Sequence, residues 1–135
     1  MTAKEWLMRG WKLNREIDRL IASRDAVKAK VLTVTASPDA VVVDGTKDPH
    51  KFDRLAAYED DLNRRIDEYV DIMDEIGKAI HKLEDRRYRL ILIDRYQLFK
   101  QWEQIAVDEG YNIRHVWRLH GEALIAMEEV IPKIE

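Results

Sequence analysis

Two long stretches without proline are the feature that most constrains the fold of this chain. Its 135 residues contain only three prolines, Pro38, Pro49 and Pro132, so residues 1–37 and 50–131 have none. Both stretches are rich in Glu, Lys, Arg, Leu, Ile and Ala, which favour helix, and the whole chain has only five glycines. Since proline breaks helices and these stretches are free of it, the sequence predicts an all-α fold and disfavours the parallel-sheet enzyme folds.

Apolar residues at heptad spacing predict one long helix from about Thr2 to Ala36. A second helix is predicted after Pro49, where apolar residues alternate at spacings of three and four. The first series consists of Trp6, Leu13, Leu20, Val27 and Val34, and the second of Phe52, Leu55, Leu62, Ile66, Tyr69, Met73, Ile76, Ile80 and Leu83.

The two helices have similar lengths and are joined by about a dozen irregular residues, which predicts a coiled-coil-like antiparallel hairpin. Within the connection, Val41 to Val43 are candidates for a short extended stretch, and Asp48 with Pro49 resembles a helix start. The apolar surface is wider than one hairpin buries. This predicts a homodimer or docking onto the C-terminal part, with a compact monomeric bundle as the alternative.

The segment around Gly110 has the spacing of a helix-turn-helix. Such a motif needs a small residue where the first helix crosses the second, a residue tolerant of positive φ four positions later, and apolar residues on the second helix. An N-cap before the second helix completes it. The matching residues are Ile105, Ala106, Gly110, Tyr111, Asn112, Val116 and Leu119. We therefore divide the chain into a self-associating hairpin, residues 1–84, and a helix-turn-helix unit, residues 85–135.

The stretch 86–126 resembles region 4 of bacterial sigma factors. The likeness rests on a buried helix ending in Arg95-Tyr96, on 102–106, on 110–112 and on the closing 122–124. With the long N-terminal helices, the whole chain resembles the small phage-encoded transcriptional regulators of the RinA and ArpU kind. The resemblance implies a non-catalytic regulator of phage late or packaging genes, made in the bacterial cytoplasm by a phage or prophage.

The resemblance also implies that a recognition helix beginning at Ile113 lies in the major groove of double-stranded DNA. Its inner face is expected to hold Val116, Leu119, Ala123 and Met127. Arg114 and Arg118 lie one turn apart on the outer face, and arginine suits bidentate contact with guanine. The expected DNA-binding residues are Asn112, Ile113, Arg114, His115, Trp117 and Arg118, with phosphate contacts from Arg86, Arg87, Arg89 and Lys100.

Several of these residues have a structural alternative. The two arginines of the outer face are also consistent with ion pairs to Glu122 or Asp108. For Trp117 we expect coverage by another element, with contact to a thymine methyl as the alternative. Trp102 is expected in the core, and Arg95 is expected either to pack or to contact phosphate.

The nearly balanced charge of the helix-turn-helix unit limits the affinity that we expect for DNA. Residues 85–135 carry eight basic and nine acidic side chains, and the whole chain has a formal net charge of −3. Because phosphate neutralisation dominates DNA affinity, a single unit is expected to bind weakly. Binding of two copies to one operator, or a contact with RNA polymerase, would compensate for this weak DNA binding.

Other classes of protein find little support in the sequence. There is no cysteine, no Gly-rich phosphate loop and no nucleophile context, and the four histidines lack metal-ligand spacing. We expect no catalysis, no cofactor and no metal. The apolar runs are too short to span a membrane, and the first residues lack a secretory signal.

Two DNA-linked alternatives remain. An adaptor would mimic sigma region 4 and bind RNA polymerase without contacting DNA, and substitution of Arg114 and Arg118 would spare it. A small terminase-like packaging protein would form a ring of eight or more copies, although its motif usually lies near the N-terminus.

Overall fold

The computed structural model describes residues 1–36 and 50–132, with side chains for 1–32 and 50–132. The described residues form five α-helices and contain no strand, which confirms the all-α prediction and the long N-terminal helix pair. Val34, the stretch 41–43 and the predicted cap at Asp48 and Pro49 lie outside the described side chains or residues. The helices are α1 (Ala3–Ala36), α2 (Lys51–His81), α3 (Arg86–Leu92), α4 (Trp102–Glu109) and α5 (Ile113–Met127).

The chain divides into two compact units, and the division differs from the predicted boundary between residues 84 and 85. One unit combines residues 1–13 with the chain from residue 69 onward, and the other comprises residues 14–68. The reason is that the first turns of α1 and the last turns of α2 share one hydrophobic core with the C-terminal helices. The buried members of that core are Ala3, Trp6, Leu7, Ile76, Ala79, Ile80, Leu83, Leu92, Tyr96, Ala123 and Met127.

The contacts of the first α1 turns explain why the boundary is displaced. Trp6 and Leu7 are almost fully buried. The backbone N–H of Ala3 donates to Oε1 of Glu128, just after α5, at 2.9 Å. On the same α1 segment Arg9 pairs with Glu75 of α2 at 3.5 Å. The start of α1 is therefore a structural part of the unit that contains the helix-turn-helix.

In the unit of residues 14–68, α1 and α2 bury part of the predicted seam. Leu62 is buried, as are Ile17 and Val31, which lie four residues after the seam residues Leu13 and Val27. Glu16 pairs with Arg65 at 3.5 Å.

Two predicted seam residues of α2 are exposed instead. Phe52 is exposed, and Ile66 keeps 37% of its surface accessible. At 100° per residue Ile66 lies about 40° and Phe52 about 80° from Leu62 around the helix axis. Both lie toward the same edge of the α2 apolar stripe.

A π-helical turn, Ile93–Gln97, continues α3 and positions the start of α4. The N–H of Leu98 donates to the carbonyl of Ile93 at 2.9 Å, which is the wide turn characteristic of a π-helix. Phe99 then takes a left-handed conformation with φ 57°, and the N–H of Lys100 donates back to the carbonyl of Asp94. These bonds fix the connection that leads into the helix-turn-helix.

Candidate nucleic-acid interface

The turn between α4 and α5 has the predicted helix-turn-helix geometry. Gly110 ends α4 in a left-handed conformation, with φ 69° and ψ 31°. The N–H of Tyr111 donates to the carbonyl of Ala106 at 2.9 Å, which closes the turn. Glycine adopts a positive φ without the steric penalty that a Cβ brings, so the glycine at this position has a definite backbone role.

The start and the inner face of α5 also match the prediction. Oδ1 of Asn112 accepts a hydrogen bond from the backbone N–H of Arg114 at 2.9 Å, which is an N-cap. All four residues predicted to face inward are buried. They are Val116, Leu119, Ala123 and Met127.

A separate core supports the first two turns of α5. Ile91 of α3, Ile105 and Ala106 of α4, and Val116 and Leu119 of α5 are buried together. Partly buried side chains pack around this cluster, among them Trp102, Tyr111 and Ile113. Ile113, which we expected as a DNA contact, therefore belongs in part to the core, and its contact with DNA stays a prediction.

The outer face of α5 presents two arginines and a tryptophan. Arg114, Trp117 and Arg118 are exposed. Nη2 of Arg118 lies 2.6 Å from Nδ1 of His115, and the half-buried His115 ring packs edge-on against Tyr111 with centroids 4.7 Å apart. His115 is thus held between a core aromatic ring and an exposed guanidinium.

The ion pairs that would have made these arginines merely structural are not formed. Oε2 of Glu122 accepts a hydrogen bond from the Tyr88 hydroxyl at 3.0 Å. Asp108 pairs with Lys100 at 2.9 Å. Residues 113–121 include no acidic side chain. The positive charge of the outer face is therefore not neutralised along the first turns of α5.

Two of the four predicted phosphate contacts instead have local roles. Arg87 pairs with Asp85, the N-cap of α3, at 2.9 Å, and this pairing lowers the pKa of the Asp85 carboxyl. Nη1 of Arg89 donates to the carbonyls of Leu83 and Glu84, at 2.6 and 2.9 Å, just after α2 ends. Arg87 and Arg89 therefore stabilise the α2–α3 connection, and their contacts with phosphate stay a prediction. Arg86 is exposed and has no ion pair among the described side chains.

Lys100 is likewise engaged inside the protein. Its Nζ lies 3.3 Å from Oδ1 of Asp94 and 2.9 Å from Oδ2 of Asp108. Asp94 is only 6% exposed, and its Oδ2 has no hydrogen-bond partner among the described residues. The neighbouring Asp94 carboxyl, helped by partial burial, raises the pKa of the Glu109 carboxyl. Lys100 thus offsets buried negative charge rather than presenting a free cation to phosphate.

The two tryptophans of the motif differ in their surroundings. Trp102 packs against the core, with its ring edge-on to His120 and the Arg95 guanidinium 4.4 Å from its centroid. This confirms the core prediction for Trp102 and gives Arg95 a packing role. Trp117 is 51% exposed, so our expectation that another element of the chain covers it is wrong for the described residues.

Sequence reasoning missed a hydrogen-bonded pair between buried Tyr96 and half-buried His120 of α5. The Tyr96 hydroxyl and Nε2 of His120 are hydrogen-bonded at 2.7 Å. Burial raises the pKa of Tyr96 to about 12. Burial, with Lys4 and Arg95 nearby, lowers the pKa of His120 to about 4, so this histidine is neutral at physiological pH. No local pattern marks such a pair, because its members are 24 residues apart.

None of the family models, curated proteins or solved structures compared with this chain matches it. In the described part of the chain, no helix is both long and apolar enough to cross a membrane. Among the same residues, no three or more His, Asp or Glu side chains are grouped so as to hold a metal ion.

Proposed function

We propose that this protein is a non-catalytic, double-stranded DNA-binding transcriptional regulator that inserts α5 into the major groove. The observation that carries the proposal is the exposed pair Arg114 and Arg118, one turn apart on a capped helix in helix-turn-helix geometry whose residues 113–121 include no acid. Guanidinium groups at this spacing suit bidentate contact with successive guanines. The likeness to phage regulators suggests phage late or packaging genes as targets, in the cytoplasm of a bacterial host.

The number of free cations limits the affinity of one copy. Arg87, Arg89 and Lys100 are engaged internally, which leaves Arg86 as the remaining candidate for a phosphate contact among the four predicted. Since DNA affinity depends on how many phosphates are neutralised, we propose that two copies bind one operator.

Exposed apolar side chains on α2 support self-association of the hairpin. Phe52, Ile66 and Val70 are all exposed and lie on one edge of the α2 apolar stripe. A homodimer formed through this edge would carry two recognition helices, as a two-fold symmetric operator requires.

A second candidate function is an adaptor that binds RNA polymerase. It is favoured by the exposed apolar residues of the helix-turn-helix, namely Val107 at 75%, Ile125 at 73% and Trp117. It is also favoured by the slight acidic excess of residues 85–135. In this case the outer face of α5 would contact protein rather than base edges.

Selection of bound fragments from a phage and prophage DNA pool tests the proposal. The wild type and the Arg114→Ala/Arg118→Ala double variant are compared at low and at physiological salt. A Lys28→Ala/Lys30→Ala variant removes the same charge from an exposed part of α1 and serves as the matched control. We expect one sequence family with the wild type and the control, and none with the double variant.

Recovery of no sequence family at either salt contradicts DNA recognition. Capture of bacterial RNA polymerase by both the wild type and the double variant would then support the adaptor. A ring of eight or more copies in solution would instead favour the terminase-like function.

A further inference from the structure

We infer that Trp117 contacts the 5-methyl group of a thymine within the site bound by α5, and so determines part of the sequence specificity. This inference rests on the proposed function. The inference goes beyond the proposed function because it assigns an apolar base contact to Trp117, a residue whose role the helix-turn-helix pattern leaves open.

The position of Trp117 allows no internal role. Its neighbour Val116 is fully buried and Leu119 is nearly so, whereas Trp117 is half exposed. At 100° per residue Trp117 lies about 60° from Arg114 and about 100° from Arg118 around the helix axis. The indole therefore stands on the same outer face as the two guanidinium groups.

The charge around Trp117 favours DNA over a protein partner. Arg114 and Arg118 flank the indole along the helix, and the nearest acid in sequence on α5 is Glu122, which accepts the Tyr88 hydroxyl. A surface of this composition is complementary to the negative potential of a DNA groove. A partner protein would need an acidic patch around an apolar pocket.

The chemistry of the major groove then limits what the indole contacts. Base edges there present hydrogen-bonding groups, and the thymine 5-methyl group is the apolar group among them. An indole set beside two guanine-contacting arginines would thus select a thymine adjacent to the guanines. The predicted half-site contains guanine and thymine as neighbours.

The test replaces thymine by deoxyuracil, one position at a time, in the site recovered by selection. The replacement removes only the methyl group, and affinity is measured by fluorescence anisotropy with wild type and Trp117→Ala. Burial of one methyl is worth about a fourfold change in affinity. We expect a loss of that size at one thymine per half-site with wild type, and no loss there with Trp117→Ala.

Ile125→Ala is the matched control, because Ile125 is also exposed and lies about 12 Å further along the α5 axis. It should keep the wild-type response to the missing methyl. Melting followed by circular dichroism checks that each variant is folded.

The possible failures are distinguishable. If wild type binds a defined site but tolerates deoxyuracil at every thymine, the inference about Trp117 is overturned and the proposed function stands. If Trp117→Ala keeps the methyl response, another residue makes the contact and the inference is equally overturned. If no DNA site is recovered, the proposed function and this inference both fail.

Discussion

Nη2 of Arg118 lies 2.6 Å from Nδ1 of His115, one turn earlier on α5. A guanidinium nitrogen only donates, so this contact is a hydrogen bond in the tautomer that carries the ring hydrogen on Nε2 and leaves Nδ1 as acceptor. Because the ring is also packed against Tyr111, His115 acts as a fixed support that orients Arg118. The geometry gives His115 a supporting role toward Arg118, and its direct contact with DNA stays a prediction.

The support function predicts different effects for two substitutions of His115. His115→Leu removes the acceptor and should weaken DNA binding about three- to tenfold, the net value of one ordinary hydrogen bond at an exposed site. His115→Gln retains an acceptor oxygen and should lose less. Binding measured by anisotropy tests this, and ¹⁵N NMR of the free protein reports the tautomer. A proton on Nδ1 would contradict the geometry whether or not DNA binds.

Two glycines of the motif should respond to alanine with opposite signs. Gly110 has a positive φ, so Gly110→Ala should lower the free energy of unfolding by about 1 kcal/mol although no atom blocks a Cβ. Gly121 lies inside α5 with open space around it, so Gly121→Ala should raise that free energy by about 0.5–1 kcal/mol. Urea denaturation of both variants measures the difference. Equal effects would contradict the backbone argument.

The buried Tyr96–His120 pair predicts a pH dependence of stability. The folded pKa of His120, about 4, lies below its ordinary value of 6.5, so between these values the unfolded chain binds more protons. Stability should be fully present above pH 6.5 and fall as the pH drops toward 4. Because the ring is only partly buried, we expect a loss of about 1–2 kcal/mol. Denaturation across this range should show a shallower slope for His120→Gln, which keeps an acceptor for Tyr96.

The hairpin offers a pair of matched aspartate substitutions on α2. Leu62 is 4% exposed, so Leu62→Asp buries an unpaired charge and should cost about 3 kcal/mol or more. Ile66→Asp is four residues away on the exposed edge and should leave the monomer fold nearly unchanged. If the α2 edge forms the proposed homodimer, sedimentation should show dissociation with Ile66→Asp. An unchanged mass would place any dimer contact elsewhere.

The substitution Glu109→Gln should stabilise the folded protein at neutral pH. Its raised pKa means that the folded protein disfavours the charged carboxylate beside Asp94. A carboxyl with a raised folded pKa stabilises in its protonated form, and that contribution is lost as the pH rises through the folded pKa. Glu109→Gln supplies a permanent donor, so at pH 7 it should gain about 0.5 kcal/mol, with a smaller gain at pH 4. Thermal melting at the two pH values tests the sign.

The sequence predicted the parts of the fold that depend on local patterns. The absence of proline gave the long helices, and the spacing from Ala106 to Leu119 gave the turn at Gly110 and the inner face of α5. These features depend on backbone preferences and helical periodicity, which act over one or two turns. Such local features can therefore be predicted from a single sequence.

The sequence did not reveal the internal partners of several side chains. Arg89 and Lys100 were assigned to phosphate, yet Arg89 donates to carbonyls just after α2 and Lys100 pairs with buried Asp94. Ile66 follows the same spacing as its buried neighbours but faces outward, because spacing gives the direction of a stripe and not its buried width. Charge and periodicity alone do not identify such partners.

The bond between the Ala3 amide and Glu128, together with the burial of Trp6, has a practical consequence for engineering. The C-terminal helices cannot be transferred alone, since a fragment beginning at residue 85 would lack the core residues that α1 and α2 contribute, such as Trp6 and Ile76. A change of operator preference is therefore better sought by exchanging the outward residues of α5 within the whole chain than by grafting the motif onto another protein.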